Sequence, residues 1–97
     1  MSVMPKNALS EILKQSVLAD SRISGLSNDI RTDIIGPAVE NFVLGNEDQD
    51  SKLATFIQNI QSALETRFDP KNAQMKTLVI QDALLNANDK FEMSYSF

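Results

Sequence analysis

The residue types that most often perform chemistry in proteins are scarce in this chain of 97 residues, which has no histidine and no cysteine. Their absence removes the usual general base near neutral pH and the thiolate nucleophile. Two carboxylate pairs remain, because Asp29 with Asp33 and Asp82 with Asp89 each share a predicted helix face. Their neighbours are polar, so we interpret both pairs as solvated surface and not as a general acid and base. We expect no enzyme, no cofactor and no small-molecule substrate.

The polar segment from Gly45 to Asp50 has the only spacing that is typical of a metal loop. Asn46, Asp48 and Asp50 alternate like the first three ligands of an EF-hand. No glycine or bidentate glutamate follows at the positions that such a loop needs. We therefore predict no metal site, but a solvated acidic linker in which Asp50 caps the following helix.

The charge of the chain is acidic, with 13 acidic and 9 basic residues and a formal net charge of −4. The basic residues are scattered, and the tightest group, Arg67, Lys71 and Lys76, is interpreted as a solvated helix end. Nucleic-acid binding usually needs a concentrated basic face, so none is expected. The sequence has no apolar run of signal-peptide or membrane-spanning length. We expect no membrane contact, and a cytoplasmic or virion location.

Hydrophobic residues recur at helical spacing along most of the sequence, which predicts an all-α bundle of four to five helices in a single domain over residues 1–97. We divide this domain into an N-terminal half (1–44), the acidic linker (45–50), a C-terminal helical hairpin (51–90) and a C-terminal tail (91–97). The expected helices cover residues 6–19, about 27–35, 37–44, 51–68 and 71 to about 90.

Glycine and proline predict where these helices begin and end. Gly36 and Pro37 should interrupt the second helical pattern, because proline lacks a backbone N–H and disfavours helical geometry in the residue before it. The sequence leaves open whether the second and third helices are separate or form one kinked helix. Gly45 is expected to end the third helix in the left-handed conformation. Asp69 should cap the last helix, with Pro70 at its first position.

The last predicted helix differs from the others because it has two apolar stripes. One stripe comprises Met75, Leu78, Val79 and Leu85, and the other comprises Ile80, Leu84, Ala87 and Phe91. One stripe can face the core of the domain. The other packs on the N-terminal helices or faces another molecule, and the sequence leaves both alternatives open.

The C-terminal tail alternates apolar and polar residues, with Phe91, Met93, Tyr95 and Phe97 on one side. This period of two predicts an extended segment that could form a β-strand. Exposing this many large apolar side chains to water would be unfavourable. The tail should therefore dock either on its own bundle or on another chain as an added strand.

Together these patterns predict a protein that acts by contact with a protein partner or with itself. We expect a non-enzymatic structural or assembly subunit of an oligomer, with a virion or a secretion-type apparatus as candidate settings. The alternative is a small regulatory adaptor or inhibitor that binds a cellular machine. The predicted contact residues lie on the last helix and the tail: Ile80, Leu84, Phe91, Met93, Tyr95 and Phe97.

Overall fold

The structure is a computed structural model that describes the backbone of residues 5–95 and the side chains of residues 5–92. It confirms the all-α bundle, and no strand occurs among the described residues. The helices are α1 Lys6–Leu18, α2 Ser21–Ser24, α3 Gly36–Leu44, α4 Gln49–Leu64 and α5 Pro70–Tyr95, and a π-helical segment Ile30–Ile35 runs directly into α3. The short helix α2 lies between the first two predicted helices, in a segment for which the sequence predicted no helix.

One hydrophobic core joins the helices on both sides of the linker. Helix α1 packs on α3 and α5, while α4 packs on α3 and α5 from the other side of the linker. Near the centre, the rings of Phe42 and Phe56 meet edge to face with 6.1 Å between their centroids. The largest fully buried side chains are Leu13, Val17, Ile23, Ile35, Val39, Phe56, Ile60, Leu64, Ile80 and Leu84.

The helical pattern is not interrupted at Gly36 and Pro37, because residues 28–44 form one continuous helical stretch. Of the two alternatives that the sequence left open, separate helices are therefore wrong. A π-helical segment precedes Pro37, and the backbone N–H of Gly36 donates to the carbonyl of Arg31, five residues back. Proline normally clashes with the carbonyl four residues before it. The wider π turn relieves this clash, so the helix continues without a break.

The connection before α4 also differs from its prediction. Gly45 has φ −66° and ψ 152°, so it is extended and not left-handed. A Cβ atom at this position would lie 3.1 Å from the carbonyl oxygen of Asn41, so a side chain there would be crowded. The N-cap of α4 is Asp48 and not Asp50, because its carboxylate accepts the backbone N–H of Ser51 at 2.9 Å.

Helix α5 begins as predicted, with Pro70 as its first residue and the carboxylate of Asp69 accepting the backbone N–H of Asn72 at 2.9 Å. Its other end is not as predicted, because residues 91–95 continue the helix and do not form an extended tail. Adding a residue to an existing helix costs no new nucleation, so a short alternating pattern does not end it. Phe97 lies outside the described residues.

Candidate protein-contact surface on helix α5

The stripe of α5 that contains Ile80 and Leu84 faces the core. Both side chains have no solvent exposure, and the small side chains of Ala73, Ala83 and Ala87 are buried beside them. Ile80 and Leu84 were predicted as contact residues, and this prediction is wrong because neither reaches the surface. Small residues on this face let the helix backbone approach its neighbours closely, and the two large ones fill the core between them.

The opposite side of α5 carries the exposed apolar residues. Met75 and Leu78 keep 58% and 55% of their surface exposed, which makes them the two most exposed large hydrophobic residues in the described part of the chain. At about 100° per residue, both lie across the helix axis from Ile80. We call this side the outer face of α5 and define it by Lys71, Met75, Leu78, Asp82, Leu85 and Asp89.

Residues of the outer face follow one another at alternating steps of four and three. This is the spacing by which one helix presents a seam to a second helix. Leu85 is half-buried, while Lys71, Asp82 and Asp89 are exposed. The seam is therefore apolar at Met75 and Leu78 and charged on either side of them.

Two shallow grooves flank the exposed pair. On one side, Leu78 and Thr77 line a groove with Ala54 and Ile57 of α4. Glutamine side chains, including Gln58, surround this groove without adding charge.

On the other side, Met75 and Val79 line a second groove with Leu26. The cationic side chains of Arg22 and Lys76 border it. The apolar surface thus extends beyond α5 in both directions, toward α4 and toward the chain after α2.

Arg22 connects the outer face to the start of α2. Its Nη2 atom lies 2.8 Å from Oδ2 of Asp20 and 3.0 Å from Oδ2 of Asp82. Hydrogen bonds from the guanidinium and from the backbone N–H of Arg22 lower the pKa of Asp20 to about 2. Hydrogen bonds to the carboxylates of Asp20 and Asp82 raise the pKa of Arg22.

The basic residues that the sequence grouped as a solvated helix end have different surroundings. Arg67 forms a salt bridge with Asp29. The ammonium of Lys76 lies 4.7 Å from the centre of the Phe68 ring, within the range of a cation–π interaction. Lys71 is exposed and forms no salt bridge within the part of the chain that the structure describes.

The carboxylates considered for chemistry are not brought together in an apolar pocket. Asp29 pairs with Arg67, and the exposed Asp33 accepts a hydrogen bond from the hydroxyl of Thr32 at 3.3 Å. Asp82 pairs with Arg22, and Asp89 is exposed. Among the described residues, no group of three carboxylates comes together as a metal site would require.

Three of the remaining predicted contact residues, Phe91, Met93 and Tyr95, lie at the C-terminal end of α5. Phe91 is half-buried and packs against the core. Met93 and Tyr95 belong to the helix, but their side chains, like all of Phe97, lie outside the described residues. The prediction for these residues remains a prediction.

Met75 and Leu78 occupy the exposed side of α5, where the sequence prediction had placed Ile80 and Leu84. The sequence contains one signal for this orientation, because the outer face includes the charged residues Lys71, Asp82 and Asp89, and a buried unpaired charge is unfavourable.

No helix in residues 5–95 is both long enough and apolar enough to cross a lipid bilayer. The known protein families, curated proteins and solved structures provide no significant match to this chain.

Proposed function

We propose that this protein is a non-enzymatic structural or assembly subunit that acts through protein–protein contacts on the outer face of α5. One observation carries the proposal: the two most exposed large apolar side chains of the described chain, Met75 and Leu78, lie within one turn of each other and opposite the core. Single exposed apolar residues are common on protein surfaces, whereas contiguous apolar patches mark contact sites.

The surroundings of Met75 and Leu78 support the same function. The apolar centre continues into the grooves with Ile57 and Leu26, and polar glutamine and charged side chains border it. An apolar centre with a polar rim is the common arrangement of protein interfaces. Covering the exposed half of these two side chains would contribute roughly 1 kcal/mol each.

An adaptor or inhibitor would bind through the same surface, but to a different kind of partner. An assembly subunit binds copies of itself or a fixed set of structural partners, while an adaptor binds one regulated protein. A cross-link formed at the surface in the native source identifies the occupant directly.

The experiment places a photoreactive amino acid at position 78, and in a matched control at the exposed position 33 on the π-helical segment. The full-length chain is irradiated in its native source, and adducts are identified by mass spectrometry. We expect defined adducts with assembly components from position 78 and none from position 33. Absence of any adduct at position 78 would overturn the proposal.

A further inference from the structure

We infer that the occupant of the outer face of α5 is the antiparallel α5 helix of a second copy of this chain, with the two-fold axis passing between Met75 and Leu78. This inference rests on the proposed function and names its partner. Charge complementarity along the outer face selects this occupant, together with the positions of the apolar residues.

The apolar residues fit a symmetric pair of helices. In an antiparallel pair with a two-fold axis, each residue faces the one equally far from the axis on the other helix. Met75 and Leu78 are equally far from the midpoint between residues 76 and 77. With the axis at this midpoint, each Met75 therefore packs against the Leu78 of the second copy, and the four most exposed apolar side chains cover one another.

The charges fit the same axis independently. Lys71 and Asp82 are also equally far from the midpoint, so each Lys71 faces the Asp82 of the second copy. Lys71 has no salt bridge in the described part of its own chain, and the carboxylate of Asp82 is 55% exposed although it contacts Arg22. Two ion pairs thus flank the apolar centre, one on each side.

The pairing leaves the contacts within each chain intact. Within one chain, Arg22 contacts the carboxylates of Asp20 and Asp82, and the charge of Lys90 also acts on Asp20. The ammonium of Lys71 from the second copy then pairs with the exposed carboxylate of Asp82. A parallel arrangement would instead bring Lys71 near the second Lys71 and Asp82 near the second Asp82, which is unfavourable.

The contact is small, and this limits its strength. The part of α5 between Lys71 and Asp82 is about 16 Å long, at roughly 1.5 Å per residue. A seam of this length belongs with interfaces below about 1,200 Å², which are typical of weak association. We expect a dimer that forms with increasing protein concentration and weakens at high salt, because its ion pairs are exposed.

A charge-exchange experiment tests the pairing by sedimentation of the full-length protein. Lys71→Glu places two pairs of like charges in the dimer, and so does Asp82→Lys. We expect each variant alone to dimerise at least about tenfold more weakly, since the reversal acts at both ends of the seam. An equimolar mixture of the two variants restores both attractive pairs, so dimerisation should return as a heterodimer.

Asp89→Lys is the matched control, because it makes the same charge change on the outer face but does not face Lys71 across this axis. A mixture of Lys71→Glu with Asp89→Lys should not regain wild-type affinity.

Leu78→Gln removes the apolar centre without changing the contact between Arg22 and Asp82, and it should abolish dimerisation. Circular dichroism confirms that each variant is folded.

The possible outcomes separate this inference from the proposed function. Rescue by Asp82→Lys and not by Asp89→Lys supports the antiparallel pair, whereas rescue by Asp89→Lys overturns it. A wild-type chain that stays monomeric, yet forms a defined adduct with a different assembly component at position 78, overturns self-pairing and leaves the proposed function standing. A monomeric chain without any adduct at position 78 overturns both.

Discussion

The guanidinium of Arg22 lies between the carboxylates of Asp20 and Asp82, 2.8 Å from the first and 3.0 Å from the second. Asp20 also caps α2, because it accepts the backbone N–H of Arg22 at 2.9 Å. The side chain of Arg22 therefore links the start of α2, the shortest helix, to α5, the longest helix. Its partners are carboxylates, so the attachment depends on pH.

We predict that acid weakens the fold through Asp20. Its pKa is about 2 in the folded chain, below the ordinary value of 3.8. A lowered pKa stabilises the fold at pH values above the ordinary one, and this contribution is lost as the pH falls from about 4 to about 2. Urea unfolding should show that Asp20→Asn is less stable than wild type at pH 7. If the difference did not shrink toward pH 2, the role given to Asp20 would be wrong.

We predict opposite responses to truncation on the two sides of α5. Leu84→Ala removes a fully buried side chain and should cost about 2–5 kcal/mol of unfolding free energy. Leu78→Ala removes a side chain that is 55% exposed, so its cost should stay below about 1 kcal/mol. Chemical denaturation of both variants gives the comparison. Equal costs would contradict the orientation of α5.

The N-cap of α4 provides a third prediction. Asp48→Ala removes the carboxylate that accepts the backbone N–H of Ser51, so it should cost about 1 kcal/mol of unfolding free energy. Asp50→Ala is the matched control, because it removes the same group from the first turn without removing the cap. Thermal melts of the two variants would reject the assignment if Asp50→Ala were the more damaging change.

Two glycines should respond differently to alanine. At Gly45, a Cβ atom would lie 3.1 Å from the carbonyl oxygen of Asn41, so Gly45→Ala should destabilise the protein. At Gly25, no atom lies within 4 Å of an added Cβ, and φ is −84°. Gly25→Ala should therefore leave the stability unchanged or raise it by up to about 1 kcal/mol, since alanine restricts the unfolded chain. Melting temperatures that shift in the same direction would contradict this account.

Local sequence patterns predicted the helices better than they predicted the joints between them. The spacing of Leu53, Phe56 and Ile60 predicts α4, because an amphipathic stripe reports directly on burial. The sequence did not predict the π-helical segment, because backbone hydrogen bonds between residues five apart produce no distinct period in the hydrophobic residues. Asp48 and Asp50 are two carboxylates in the same linker, and backbone geometry alone decides which one caps α4.

The contact surface was only partly predictable for a different reason. The sequence showed that α5 has two apolar stripes, but the side that faces the core depends on how α1 and α4 pack against α5. Those long-range contacts bury Ile80 and Leu84 and leave Met75 and Leu78 at the surface. The charged residues of α5 indicate which side is solvated, but the helix alone does not show which elements cover its other side.

The π-helical segment Ile30–Ile35 is a place where the chain can lose one residue without disturbing the helices around it. Its wider turn holds one residue more than an α turn would, so a one-residue deletion there can be absorbed by a return to ordinary α geometry, once Pro37 is replaced. The apolar side of α3 then keeps its orientation toward α1. An equal deletion inside α4 would rotate the rest of that helix by about 100° and turn Ile60 and Leu64 out of the core.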